Sequence, residues 1–288
     1  MARGGKLVGA LALLGASIAA AASPVQAADR TPPVLKVPDY PAFRTGMAMG
    51  PDWDAGGEGR ETSFATAIPA VLRWTAHDPS GICGYKVEDV NHEDHATVLQ
   101  RGKATSYAGT LSLYAGEFGS GGTTRDYWQV TARDCAGNAT VGRAHLRPNV
   151  IQEDGFSPTE QPFAEFKVGY TGKWKTVKCT CWASGAVRMT TAKGAAVTFT
   201  TYVQRDGHIA VVMPKGPNRG KALIKVDGAP VAVIDTYSPK PKHRIVMWEA
   251  GFEEGSHTVS VINLATPGRP RIDVDAFLTL GQWTTPPL

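Results

Sequence analysis

Short apolar runs recur through the second half of this chain at a spacing of roughly ten residues, with turn-forming residues between them. Ala196 to Val203, Ala222 to Val226, Pro230 to Ile234, Arg244 to Trp248, His257 to Ile262 and Ile272 to Leu280 are the clearest. They are rich in β-branched and aromatic side chains, which suit a pleated, half-buried surface. Upstream, Ala70 to Ala76 and Tyr127 to Ala132 alternate with the period of two expected of strands. No stretch shows a convincing helical period. The pattern predicts an all-β chain of two β-sandwich domains. Composition supplies the turns: 32 glycines and 20 prolines are about 18% of the 288 residues, against a usual ~12%. That length suits two domains better than one.

Two dipeptides, Asp206-Gly207 and Asp227-Gly228, are hairpin signals, because both residue types tolerate positive φ. Pro148 to Gly155 is polar, carries Pro and Gly, and reads as a linker, so the chain divides near residue 150. Ala42 to Glu61 is Gly-rich and poor in apolar residues, and reads as a long loop.

Residues 1–27 read as a secretory signal peptide. Arg3 and Lys6 form a positive start, Leu7 to Ala22 is apolar, and Val25-Gln26-Ala27 places small residues at a cleavage site. The apolar run is short for a span of ~20 residues and is diluted by Gly and Ser. No other segment is apolar enough to cross a bilayer, so a secreted protein with no membrane span after cleavage is expected. The formal net charge is +4, from 30 basic and 26 acidic residues, which is no electrostatic footprint for nucleic acid. Export would place Cys83, Cys135, Cys179 and Cys181 in an oxidising compartment, where four cysteines allow two bridges in three connectivities.

The first half carries a grammar of its own. Leu72-Arg73-Trp74-Thr75-Ala76-His77-Asp78 leads to Ser80-Gly81-Ile82 and Tyr85-Lys86-Val87. Trp128-Gln129-Val130-Thr131-Ala132-Arg133-Asp134 leads to Ala136-Gly137-Asn138. This resembles bacterial fibronectin type III or immunoglobulin-like modules and implies such a sandwich over residues 28–149. The Gly-rich insertion departs from the family's short first connection, and the late-strand Tyr is displaced to Tyr127. The resemblance implies that the third and sixth strands are neighbours, so that Cys83 pairs with Cys135. Such a bridge closes a loop of roughly 50 residues, worth about 3–4 kcal/mol in the chain-entropy model.

Residues 150–288 hold Tyr170-Thr171-Gly172-Lys173-Trp174, Val226-Asp227-Gly228, Gly255-Ser256-His257-Thr258 and Val274-Asp275-Ala276-Phe277, in that order. The order resembles galactose-binding-like jelly-roll modules attached to secreted bacterial proteins. It implies a jelly roll; ligand does not follow from fold. Related carbohydrate-binding jelly rolls often carry a structural calcium, for which Asp275 is the candidate ligand. Cys179 and Cys181 depart from the family. They form an i to i+2 bridge, pair with another chain, or bind a metal.

The sequence holds no Gly-x-Ser-x-Gly elbow, no dinucleotide fingerprint and no His-Glu-x-x-His. Gly216 to Lys221 has the wrong spacing for a phosphate loop, and Ala222 stands where a Ser or Thr would hold magnesium. His92-Glu93-Asp94-His95 is the densest set of metal-ligand types, in what reads as a solvated turn. Asp273 and Asp275 would share a face if they lie on one strand. Trp74, Trp128 and Trp248 read as core, and Trp174 as a buried anchor. Trp182 and Tyr237 border turns, where an exposed ring can stack on a sugar while Asn218, Arg219 and Asp235 supply hydrogen bonds. The expectation is a secreted, non-catalytic carbohydrate-binding or surface-adhesion protein that takes an extracellular glycan or cell-surface polymer, with no cofactor besides a structural calcium. The alternatives are a structural or protein–protein interaction module and a hydrolase built on the acidic residues.

Overall fold

The computed structural model describes residues 29–50, 67–91, 94–111, 126–146, 148–155, 157, 166–179, 181–183 and 185–282. The signal-peptide reading falls outside them. The described residues contain strands and no helix, so the chain is all-β. In particular, no helix among them is long and apolar enough to cross a membrane.

The first half contributes β1 (Val34–Lys36), β2 (Ala42–Phe43), β3 (Ile68–Arg73), β4 (Thr75–His77), β5 (Ile82–Val90), β6 (Ala96–Gly102), β7 (Ser106–Leu111), β8 (Tyr127–Asp134) and β9 (Ala139–His145). They form a sheet in the order β6-β5-β8-β9, a second in the order β2-β3-β7, and a small β1-β4 pair. Alternation decides what is buried. Ile68, Ala70 and Leu72 of β3 meet Val87 of β5 and Trp128 and Val130 of β8 in one core. Tyr107 packs edge-on to Trp128, with ring centroids 5.0 Å apart. Because β5 and β8 pair antiparallel, Cys83 comes beside Cys135, and the two form a disulfide.

The second half contributes β10 (Pro148–Gln152), β11 (Phe166–Thr171), β12 (Lys175–Lys178), β13 (Ala186–Thr190), β14 (Ala196–Lys215), β15 (Lys221–Val226), β16 (Ala229–Asp235), β17 (Lys242–Phe252), β18 (Gly255–Asn263), β19 (Ile272–Val274) and β20 (Ala276–Gln282). Its spine is β14. The first part, Ala196 to Val203, pairs with β18, and β11 flanks the same stretch on its other side. The later part, Gly207 to Lys215, pairs with β17 and β20. The exchange of partners falls at Asp206, which has φ 60° and lies within a register shift between Val203 and His208. Asp206-Gly207 is therefore a bulge within one long strand, not the expected hairpin. An Asp-Gly pair supplies positive φ in either setting. Asp227-Gly228 does close the β15-β16 hairpin, with φ 49° and 83°.

Two further expectations are corrected. The supposed linker is β10, buried at all five positions and paired with β20. Its polar Asn149 and Gln152 are buried along with Val150 and Ile151, so polarity misled the reading. The supposed long loop contains β2, and Ala48 bridges to Ile245 of β17. Around that bridge Gly46 N donates to Val246 O (2.8 Å), Val246 N to Met47 O (3.0 Å) and Met49 N to Arg244 O (2.8 Å). Residues 51–61 of the stretch lie outside the described residues. One apolar core runs through this junction, joining Phe43, Met49 and Leu72 to Val150, Ala210, Val246 and Leu278.

Candidate functional site

The turn after β14 is laced to the segment after β16. Gly216 N donates to Thr236 O (3.0 Å), Ser238 N to Gly216 O (3.2 Å) and Thr236 N to Gly220 O (3.0 Å). This backbone lacing sets the turn that carries the exposed Asn218 against the segment that carries Tyr237, a residue 45% exposed. Asp235 caps the same corner by accepting from Tyr237 N at 2.9 Å. Arg269, which sequence reasoning missed, completes it. Its guanidinium donates to both Asp235 oxygens (3.0 and 3.2 Å) and lies 4.7 Å from the centre of the Tyr237 ring. The hydrogen bonds from Arg269 hold the Asp235 carboxyl below its usual range. Nothing in the sequence pairs residues 34 positions apart; β16 and the turn before β19 do so in space.

Two of the residues expected at a ligand face lie beneath it. Arg219 is buried, with Nε 2.5 Å from Asp273 Oδ2 and its guanidinium carbon 5.9 Å from the Trp182 ring. Trp182 is 4% exposed and packs edge-on against His243. Neither presents a surface for a ligand. Arg219 is consumed by neutralising Asp273, together with Arg271 Nη2 at 2.7 Å. Trp182 is folded inward by the turn that the Cys179–Cys181 disulfide closes.

Asp273 and Asp275 do not form a shared-face pair. The chain passes from β19, which pairs with β13, to β20, which pairs with β14, and Asp275 sits at the break. There Asp275 N donates to Val212 O, and Asp275 Oδ1 accepts from Ala183 N at 2.9 Å. Burial pushes the Asp275 carboxyl up to about 8. Its Oδ2, both side-chain atoms of Gln152, Trp182 Nε1 and His243 Nδ1 have no hydrogen-bond partner among the described residues. Gln152 pairs in register with Ala276, next to Asp275, and the neighbouring Glu153 carboxylate is also buried and raises the Asp275 pKa further. Two of these atoms, Asp275 Oδ2 and Gln152 Oε1, are oxygens of the kind that an oxygen-seeking cation takes. The signal that sequence reasoning missed is the Gln152-Glu153 pair, hidden in a segment taken for a linker.

Of the other candidates, His92 and Glu93 lie outside the described residues. Asp94 and His95 belong to a turn, in which Asp94 N donates to Asn91 O and His95 N to Asn91 Oδ1. Cys179 and Cys181 are bridged to each other, which removes them as thiolate metal ligands.

No protein-family model matches the sequence, and no curated protein matches it. Solved structures with similar architecture include the CBM36-1 domain of a multidomain xylanase from the hindgut metagenome of Trinervitermes trinervoides. That match has 12% identity and a TM-score of 0.32, covering 48% of this chain and 99% of that one. CBM35 from Cellvibrio japonicus matches at 13% identity and TM-score 0.34, covering 48% and 95%. An exo-β-1,3-galactanase from Phanerochaete chrysosporium, solved with galactose, matches at 13% identity and TM-score 0.33, covering 74% and 54%.

Proposed function

We propose that the protein is a secreted, non-catalytic carbohydrate-binding protein whose ligand face is the corner formed by Tyr237, Asp235, Arg269 and Asn218. The observation that carries this reading is the half-exposed Tyr237 ring, held by a two-pronged Arg269–Asp235 pair. A sugar offers an apolar C–H face and a rim of hydroxyls. A fixed aromatic ring takes the first, and planar charged groups beside it take the second. Arg219 and Trp182 support the corner from below. A structural calcium, held by Asp275 with the side-chain oxygens of Gln152 and Glu153, belongs to the same reading. It would neutralise a buried acidic pair and contribute no chemistry to a ligand.

The test is retention of the intact protein on insoluble polysaccharides and cell-wall preparations. Wild type should be retained, and Tyr237→Ala should lose at least tenfold in affinity without losing thermal stability. Equal retention of the two proteins removes this face as the site. No retention at all moves the weight to a protein partner. For that reading the exposed edge strand β16 is the candidate surface, with Val231 and Val233 51% and 58% exposed.

A further inference from the structure

Three carboxylates from distant points of the chain converge at one end of the first half. Asp29 precedes β1, Asp78 follows β4, and Asp134 ends β8. One oxygen of each lies within 4.8 Å of the others. Asp78 is 6% exposed and Asp134 1%. Among the described residues no lysine or arginine pairs with any of the three. Like charges held this close in a buried place repel one another unless a counter-charge sits among them.

The hydrogen bonds account for one oxygen of Asp78, one of Asp29 and both of Asp134. Asp78 Oδ1 accepts from Ser80 N (2.8 Å) and Ser80 Oγ (2.6 Å). Asp134 accepts from Asn138 N (2.7 Å) at Oδ1 and from Asn138 Nδ2 (2.8 Å) at Oδ2. Asp29 Oδ1 accepts from Thr31 N (2.9 Å), the largest influence holding its carboxyl below the usual range. These bonds fix the three carboxylates in place. They leave Asp78 Oδ2 and Asp29 Oδ2 buried and without a hydrogen-bond partner. A buried carboxylate oxygen with no donor is a costly thing to keep, and Asp78 is more than nine-tenths buried.

We infer that Asp29, Asp78 and Asp134 form a binding site for a calcium-class divalent cation. The donors are all oxygens, with no His or Cys, which selects a hard cation. Three carboxylates supply more negative charge than one divalent ion needs, which favours tight binding. Calcium tolerates irregular sets of oxygen ligands, whereas magnesium demands near-octahedral geometry and keeps its waters. The ion ties the start of the described chain to two turns, Ser80-Gly81 and Gly137-Asn138, whose glycines have φ of 82° and 101°. It sits beside the Cys83–Cys135 bridge, where Cys135 N donates to Gly81 O. Disulfide and cation then clamp the same end of the first half. The site is separate from Asp275 in residues and in position, and it does not depend on the glycan reading.

The experiment is calcium stoichiometry by equilibrium dialysis on the intact, chelator-stripped protein, with thermal unfolding of the same samples. Asp29→Asn and Asp78→Asn should each bind one calcium fewer than wild type and lose part of the calcium-induced rise in Tm. Asp275→Asn should keep this equivalent. Asp29→Asn guards the test if Asp78→Asn does not fold, because Asp29 is only partly buried at the edge of the fold. An Asp29→Asn protein that binds as many calcium ions as wild type, with unchanged affinity, overturns the inference. So does a wild-type protein in which the only calcium bound is lost by Asp275→Asn.

Discussion

Asp275 is a carboxyl group sealed from water, and that ties the stability of the fold to pH. Burial pushes the Asp275 carboxyl up to about 8, well above the ordinary aspartate range. In the unfolded chain it ionises near 4. Between those values the folded state binds a proton that the unfolded state has released. Its contribution to stability is therefore complete below about pH 4 and is lost as pH rises through 8. In chelator, urea unfolding should show stability falling by a few kcal/mol across that window, and Asp275→Asn should flatten the slope. Calcium should reverse the effect for wild type, because an ionised Asp275 is what a cation would hold, and should leave the pH slope of Asp275→Asn unchanged, stabilising that variant only through the Asp29–Asp78–Asp134 site. A slope that survives the substitution would assign the titration to another group. Arg219 shows the opposite use of charge. It read as a ligand-binding residue because arginine at a turn is an apt sugar donor, yet the fold spends it on Asp273 in the interior. A side chain's type was visible in the sequence; the carboxylate it would meet, 54 residues away, was not.

The strands themselves were legible wherever one face is buried and the other wet, as in β8 or the first part of β14. There the side-chain period alone specifies the element. Legibility failed where both faces are covered. β10 has five buried positions and no alternation to read. It failed again at Asp206, because local residues report a positive φ and not whether the chain reverses there. That bulge has a consequence at its own scale. Asp206 holds φ 60°, a conformation that aspartate tolerates and β-branched residues resist. Asp206→Val should destabilise the protein by about 1–2 kcal/mol, and Asp206→Gly should be near neutral. Chemical denaturation of the two variants decides it: equal losses would mean that the carboxylate, and not the backbone, matters. The Tyr237 corner was legible in part. Tyr237 stood out as a ring bordering a turn, with Asn218 and Asp235 as polar groups to accompany it, whereas Arg269 is ordinary in sequence and meets Asp235 only through a long-range contact.

At the scale of the whole molecule, the continuous core joining Phe43 and Met49 to Val150, Val246 and Leu278 argues against two independent halves. Surface buried on both sides of a junction couples the stabilities of what it joins. Calorimetry should show a single transition whose calorimetric and van't Hoff enthalpies agree. Phe43→Ala should shift that transition as a whole, by the 3–5 kcal/mol typical of a lost buried ring. Two peaks, of which Phe43→Ala moves one, would show that the junction does not couple them. The same architecture has a mechanical side. β10 and β20 are antiparallel neighbours, with Pro148 opposite Leu280 and Gln152 opposite Ala276. The chain thus enters β10 and leaves β20 at the same end of one ladder. A pull applied through those two points loads the cross-strand bonds one after another instead of together. Tethered upstream and tugged downstream, the second half opens like a zip, at a force set by one pair of bonds at a time.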